Sequence, residues 1–441
     1  MTIFEEMAAE ADAFLERMIA VRRDFHKYPE KGWEEMRTTS LIARYLTDMG
    51  YHDLILGSRV CRDEERMGVP DEAELDACYA RAAGQGADPE FLPYTKGGFT
   101  GVIAELDCGA GPLLALRFDI DALGVMEAAD QDHRPYREGF SSVNSGVMHA
   151  CGHDCHIAIG LAAAQILMNH RSSFSGKVRF IFQPAEEGCR GSHSIVSNGW
   201  LDHADFVIGN HLSGDKEEPE FDIWPGAPGI QASATVKPDV VFKGRSAHAG
   251  KEPQKGRNAL LAAAAAVQNL YAIPRSGEGY SRINVGRLTA GTGRNVIPDR
   301  AVMEMEVRGE SNDIKEYMYE YAVRVVKSAA EMHGCTAEIR KMGEALTMKS
   351  DPEMRKLLFD VCGRMNLTAV PLDKERRSSG ASEDFSYMMK YVQDNGGKGV
   401  FFNTMLKCED DFHNSRIDFD EAKLVNAVKV FCGAAAALLM Q

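Results

Sequence analysis

Apolar residues recur at three- and four-residue spacing through Met1 to Arg23 and again through Met36 to Met49, which predicts helices at the start of the chain. A charged stretch rich in Ala, Glu and Asp follows from Arg62 to Glu90 and predicts one or two helices inserted on the surface. From Gly101 the pattern changes. Short apolar runs at Gly101 to Leu106, Leu113 to Phe118, Val178 to Phe182 and Phe206 to Ile208 predict buried strands, with helical segments such as Ile157 to Met168 between them. Strands alternating with helices predict an α/β fold with a doubly wound, mainly parallel sheet.

A second unit is expected to begin near Ile230. Its signs are alternating Ala232, Ala234 and Val236, then Val240 to Phe242, and an alanine-rich helix from Asn258 to Leu270. Strands around Ile283 to Leu288 and Ala301 to Val307 and a helix from Asn312 to His333 complete a β-α-β-β-α-β pattern, that of a ferredoxin-like α+β module. Because α/β character resumes from Pro352, the module reads as an insertion: residues 230–345 within a larger domain built from 1–229 and 346–441. Two domains also suit a chain of 441 residues.

Composition narrows the function classes. A net charge of −15, with Lys and Arg scattered rather than clustered, lacks the footprint of a nucleic-acid binder and would be repelled by an acidic membrane surface. The acidic, amphipathic Met1 to Glu16 does not read as a signal peptide, and Leu260 to Val267 is too short and alanine-rich to span a bilayer. Ten cysteines without a regular framework predict reduced thiols and a cytoplasmic protein, with Cys61, Cys78, Cys108, Cys335, Cys362, Cys408 and Cys432 as packing residues.

The densest chemistry lies in Met148-His149-Ala150-Cys151-Gly152-His153-Asp154-Cys155-His156. Histidine and cysteine are the preferred ligands of borderline-soft divalent metals. Cys151 and His153 are two apart, so an extended backbone would point both to one side. His149 and His156 read as supporting or packing groups, and Asp154 as a carboxylate that orients a ligand imidazole. Further polar clusters end the apolar strands, as expected of ligand sites in open α/β sheets: Asp119-Ile120-Asp121, Gln183-Pro184-Ala185-Glu186-Glu187 and Asn210-His211. Glu186-Glu187 would put one carboxylate on a metal and the other toward an attacking water; the plainer reading is a solvated acidic pair opening a helix. His413 adds an imidazole from the far end of the chain.

In the inserted module, His248 within Gly244 to Gly250 reads either as a donor toward developing negative charge or as a surface histidine. Arg294 and Asn295, on the glycine turn Gly291 to Pro298, and Arg308 suit carboxylate recognition or plain salt bridges. That turn is not a phosphate loop, since no Lys-Ser/Thr pair follows it.

Together these motifs resemble the metal-dependent aminoacylase and carboxypeptidase family, in the amidohydrolase branch marked by His-x-Cys-Gly-His-Asp-x-His and Gln-Pro-Ala-Glu-Glu-Gly. The resemblance runs through nearly the whole chain, and Glu65 to Glu72, Gly97 to Gly101, His133 to Arg137 and Gly293 to Val296 resemble a subgroup acting on aroyl-glutamates. It implies two divalent metal ions, zinc or manganese, with Cys151, His153, Glu187, His211 and His413 as ligands and Glu186 as general base. It further implies that His248, Asn295 and Arg308 bind the substrate carboxylate or the oxyanion, and that the smaller domain dimerises, with His248 reaching the partner's site. Asp121 joins Glu186 and His248 as a candidate catalytic residue, and Arg294 joins the substrate-binding candidates.

The implied reaction is amide hydrolysis of N-aroyl or N-acyl amino acids, with p-aminobenzoyl-glutamate the expected substrate. Glu186 would take a proton from water and deliver it to the leaving amine. The alternatives are a broader aminoacylase, dipeptidase or hippurate-type hydrolase, or a non-catalytic metal-binding subunit that needs a homologous B-type chain. The sequence departs from the family pattern at Cys155 and Cys189, which would place three thiols near the metals, and at His193, either a surface histidine or a substrate contact.

Overall fold

The computed structural model describes residues 1–374 and 381–440, in two compact units. The first comprises Met1–Gln231, a segment starting at Lys349, and the chain from Asp384 onward. The second comprises Ala232–Met348 and a short later segment ending at Glu383. Ten strands occur among the described residues: β1 (Val102–Asp107), β2 (Leu113–Asp119), β3 (Lys177–Gln183), β4 (Phe206–Asp215), β5 (Ile223–Trp224), β6 (Ala234–Lys243), β7 (Ser281–Ala290), β8 (Arg300–Gly309), β9 (Thr336–Ala345) and β10 (Lys398–Lys407).

In the first unit the strand order is β1-β3-β2-β4-β10-β5. The four central strands are mutually parallel, while β1 and β5 close the two edges antiparallel to their neighbours. The sheet is therefore mixed, with a parallel centre. β2 is buried at every position, as expected for a central strand covered on both faces. β4 runs well past the apolar Phe206 to Ile208, because its ladder with β10 continues through the polar Asn210, His211 and Ser213 to Asp215.

Helix His153–Asn169 is buried almost throughout because β2 and β3 cover one side and helices Leu15–Lys27 and Leu424–Leu439 cover another. Among the described residues, only Glu421–Leu439 is long and apolar enough to cross a membrane, and 72% of its apolar window is buried inside the protein. Near the N-terminus the helical pattern is broken at Phe14, whose N–H is shared between the carbonyls of Glu10 and Ala11, giving helices Ile3–Ala13 and Leu15–Lys27. The charged insertion holds one α-helix, Glu72–Gly84, capped by Asp71 and anchored by Leu75, Cys78 and Ala82 against Met36 and Leu92.

Close packing at the sheet centre yields a direct prediction. A Cβ on Gly209 of β4 would stand 2.9 Å from the rings of both Phe385 and Phe401. Gly209→Ala should therefore destabilise the first unit by about 1–3 kcal/mol through overpacking, measured as a lower denaturant midpoint.

The second unit is an antiparallel sheet of order β7-β8-β6-β9 with helices Ala259–Tyr271 and Asn312–Met332 packed on it, the ferredoxin-like arrangement. β6 is one strand rather than two short runs. Its ladder slips between Lys237 and Pro238, where proline has no N–H to give, and then continues.

Candidate metal centre

The chemistry of the first unit gathers where the parallel strands end. Asp119 closes β2, Gln183 closes β3, His211 lies in β4, and the Cys151 segment turns into helix His153–Asn169. Gly152 caps that helix in a left-handed conformation (φ 86°), suited to glycine because it has no Cβ. Cys151 and His153 thus meet across a turn and a helix start, not along an extended backbone as their spacing suggested.

The structure brings the five predicted ligands together in overlapping groups. The donor atoms of Cys151, His153 and His211 lie within 4.8 Å of one another, as do those of Cys151, Glu187 and His413 and those of His153, Glu186 and Glu187. Cys151 belongs to the first two groups, with its Sγ 3.4 Å from His211 Nε2. His413 Nε2 stands 3.7 Å from Glu187 Oε1. His413 itself sits at φ 65°, held by the bond from its N–H to the carbonyl of Ala150.

Each imidazole is oriented for its task. His211 Nδ1 must carry its proton because its partner at 2.7 Å is the carbonyl of Leu212, and this leaves Nε2 as a lone pair facing Cys151. His153 turns Nδ1 toward Asp121, an ion-pair contact at 3.3 Å; neither ring nitrogen makes a hydrogen bond, and Nε2 lies 3.8 to 4.0 Å from Asp119, Glu186 and Glu187. His156 donates through Nδ1 to Asp119 and accepts the Leu212 N–H at Nε2, so both nitrogens are spent on structure. His149 is buried, with neither ring nitrogen hydrogen-bonded, and burial lowers its pKa to about 3. Asp154 pairs with Arg22 (2.7 Å) and His26 (2.8 Å), and the carboxylate beside His153 Nδ1 is that of Asp121.

The electrostatics call for a cation. Burial would depress His153, yet Asp119 and Asp121 outweigh it and raise its pKa to about 10. Burial and Asp121 push Glu187 up to about 7 against the pull of His153. Burial, reinforced by Glu187 and Glu186, holds the Cys151 thiol well above its ordinary value, so an ion is what would keep it as thiolate. Burial and the neighbouring His156 lower His211 to about 3, keeping it neutral and able to ligate. Glu187 Oε1 and His153 Nε2 are buried without hydrogen-bond partners. Soft and hard donors, two orphaned atoms and a matched tautomer fit divalent metal ions.

Glu186 and Glu187 lie on a buried turn after β3, not at the start of a helix. Asp121 shapes this turn by accepting the N–H groups of Glu186 (3.0 Å) and Glu187 (2.9 Å), which is a positioning contact. Behind it, Arg117 ties Asp119 (2.5 Å), Gln183 (2.8 Å) and Asp384 (3.2 Å) together, and Asp384 also accepts the N–H groups of Gly191 and Ser192. Neither Arg117 nor Asp384 stands out in the sequence. The period-two spacing of Asp119 and Asp121 was the available sign that both face His153. Cys155 belongs to the apolar core, and among the described residues neither it nor Cys189 joins a donor group, so only Cys151 stands as a thiol ligand candidate. His193 lies beside Tyr387 (ring centroids 4.8 Å apart) and Glu65 (3.4 Å).

His26 lies between two carboxylates, with Nδ1 2.8 Å from Asp154 and Nε2 3.0 Å from Glu127, surroundings that favour the imidazolium. Burial and Arg22 oppose the charge, but these bonds raise its pKa to about 9. A folded value above the unfolded 6.5 means that its stabilisation is full below pH 6.5 and is lost as pH rises through 9. Thermal stability should therefore fall across that window by an amount on the order of 3 kcal/mol, and His26→Gln should flatten the fall. Equal pH dependence in both proteins would refute this.

In the second unit, His248 and Asn295 come from adjoining turns linked by the Ala249 N–H to Asn295 carbonyl bond (3.0 Å). His248 is exposed and accepts at Nδ1 from Gly250 (3.1 Å) and Lys251 (3.2 Å), which leaves Nε2 to carry the proton and donate outward. Arg294 is exposed on the same turn. Arg308 is gripped by Glu306 through Nε and Nη2, both at 2.9 Å.

Comparison with known proteins decides the family. Residues 115–437 match the model of peptidase family M20/M25/M40. The chain belongs to this family. It is a metal-dependent amidohydrolase of the M20 type. It is 42% identical over 416 residues to indole-3-acetyl-aspartic acid hydrolase of Enterobacter agglomerans, and 42% identical over 417 residues to the A-type chain of the p-aminobenzoyl-glutamate hydrolase of Escherichia coli K12, in each case covering 94% of both chains. The crystal structure of an aminobenzoyl-glutamate utilization protein from Klebsiella pneumoniae superposes with a TM-score of 0.82 at 36% identity, covering 99% of this chain and 98% of that one. A dinuclear metal binding peptidase of the M20 family, YxeP of Bacillus subtilis, superposes with a TM-score of 0.65 at 26% identity, covering 97% and 99%.

Proposed function

We propose that this M20 enzyme hydrolyses the amide joining an aromatic acyl group to an acidic amino acid, with p-aminobenzoyl-glutamate as the leading substrate. The observation that carries the reading is the pair of donor triads sharing Cys151 beside Glu186. Cys151, His153, Glu187, His211 and His413 would hold two divalent ions, zinc or manganese. Such ions would polarise the scissile carbonyl and acidify water at neutral pH.

Glu186 is the residue of this chain that moves the proton, from the attacking water to the leaving amine, where a positioned acid–base group supplies about 10²–10⁴ in rate. Asp121 holds the Glu186 and Glu187 amides and the His153 ring. In the second unit, the outward Nε2–H of His248 would donate to the developing oxyanion, and Asn295, Arg294 and Arg308 would bind the substrate carboxylates. Dimerisation through the ferredoxin-like unit belongs to the same reading. A second, B-type chain is suggested by the relatives whose names make them one component of a larger hydrolase. Ten cysteines spread along the chain without a regular spacing framework favour a reducing, cytoplasmic setting.

Indole-3-acetyl-aspartate is the second substrate to weigh, because that relative is equally similar. The test compares kcat/KM of the purified, metal-replete chain for p-aminobenzoyl-glutamate, indole-3-acetyl-aspartate, hippurate and N-acetyl-glutamate. A preference for the first two supports the reading; a preference for either of the others replaces it with the broader aminoacylase activity.

A further inference from the structure

The turn that carries Glu186 and Glu187 is held from a part of the chain that the match to the family model does not reach. Three successive amides on this turn are bound by two buried carboxylates. Asp121 takes the N–H of Glu186 and of Glu187, and Glu35 Oε1 takes the N–H of Ala185 at 2.7 Å. Ala185 has φ 54°, a left-handed conformation that an L-residue keeps only when its surroundings impose it. The turn is closed by bonds from Cys189 N–H to the Glu186 carbonyl (2.6 Å) and from Arg190 N–H to the Ala185 carbonyl (3.0 Å).

Glu35 is freed for this task by a neighbour. It immediately precedes helix Met36–Asp48, where a carboxylate would ordinarily cap the first turn, yet its side chain makes no cap bond. Glu30 caps instead, accepting from Arg37 N–H (3.1 Å) and Thr38 N–H (2.8 Å). The second oxygen of Glu35 is fixed by the Thr100 hydroxyl at 2.7 Å, and the residue is fully buried.

The loop before the helix is mated to the same turn. A Cβ on Gly32 would stand 2.9 Å from Ala185 Cα and 2.3 Å from Arg190 Nη2, so the two segments pack backbone to backbone. The loop also meets the Asp121 segment, through the bond from Ala122 N–H to the Glu30 carbonyl (2.8 Å).

We infer that Glu35 is a positioning residue for Glu186, holding the turn at Ala185 so that the carboxylate is aimed before substrate arrives. The inference rests on Glu186 being the general base. A shift of about 1 Å in a reacting group can cost on the order of 10² in rate, which sets the scale.

The experiment uses the full-length, metal-replete enzyme. Glu35→Gln keeps a carbonyl for Ala185 and an NH₂ for the Thr100 oxygen, and should stay within about threefold of the native kcat. Glu35→Leu leaves the Ala185 N–H without an acceptor. It should lower kcat about 10²-fold at unchanged metal content and nearly unchanged KM, and the Ala185 amide should lose protection from hydrogen exchange. If Glu35→Leu does not fold, Glu35→Asp, one methylene short, decides by the same readouts. In a Glu186→Gln background Glu35→Leu should cost nothing more, since it acts through Glu186.

Native kcat or native protection in Glu35→Leu would overturn the inference, as would an undiminished effect in the Glu186→Gln background. Native turnover by Glu186→Gln alone would instead overturn the assignment of the base, so the two failures are distinguishable.

Discussion

Glu186→Gln should reduce kcat by about three orders of magnitude while the protein keeps its metal content, its fold and a near-native KM. The amide side chain is nearly isosteric with the carboxylate and remains on the turn fixed by Asp121 through the Glu186 and Glu187 amides. What it loses is the capacity to take a proton from water. Because Glu187 and His153 are unaltered, the donor groups built on Cys151 persist, and elemental analysis should find as much metal as in the native protein. A matching loss of metal would mean that Glu186 serves chiefly as a ligand; native turnover would mean that another group is the base.

His153→Ala should have an effect at least as large, by a different route. His153 is the donor surrounded by the most negative charge, with Asp119, Asp121, Glu186 and Glu187 all within 4.0 Å of its ring nitrogens. Its removal takes a donor from the groups it forms with Cys151 and His211 and with Glu186 and Glu187, and leaves buried carboxylates facing one another, the costly arrangement for burial without a counter-charge. Expected are loss of bound metal, loss of turnover by more than about 10³-fold, and partial recovery only at high added metal. The control is Cys155→Ser, outside every donor group among the described residues, which should leave metal content native. Retention of the full metal load by His153→Ala would contradict the donor assignment.

Much of the donor set was legible in the sequence because its residues sit in dense, chemically unusual strings. Nothing in an ordinary core calls for Cys151, His153 and His156 together, and Glu186-Glu187 directly follows an apolar strand. A spacing of two aligns Cys151 and His153 only along extended backbone, whereas Gly152 at φ 86° turns the chain into a helix between them.

The supporting shell was far less legible. Glu35 lies in the run Glu34-Glu35 at the head of an amphipathic helix, where acidic residues are common for reasons of capping, and its partner Ala185 is 150 residues away. Arg22 and His26 look like the polar face of a surface helix, yet both are fully buried and neutralised by Asp154, Glu127, Asp418 and Glu421. Such pairings depend on tertiary proximity, which no local spacing encodes.

The fold followed the same division. Apolar runs marked β2 and β3 because both faces of those strands are covered, whereas β4 was marked only over its first residues because its later positions carry the site's polar side chains. In the second unit, the slip at Pro238 made β6 look like two pieces. In each case the pattern failed where a local irregularity or a functional residue replaced the apolar alternation.

Metal-dependent hydrolysis is tested by titrating metal-free protein with manganese or zinc, following bound metal and release of p-aminobenzoate from p-aminobenzoyl-glutamate in the same samples. Expected are no turnover without metal and a rise that saturates as divalent ions fill the Cys151 centre. Turnover by the chelated protein, or no hydrolysis of p-aminobenzoyl-glutamate or indole-3-acetyl-aspartate at full metal load, would contradict it.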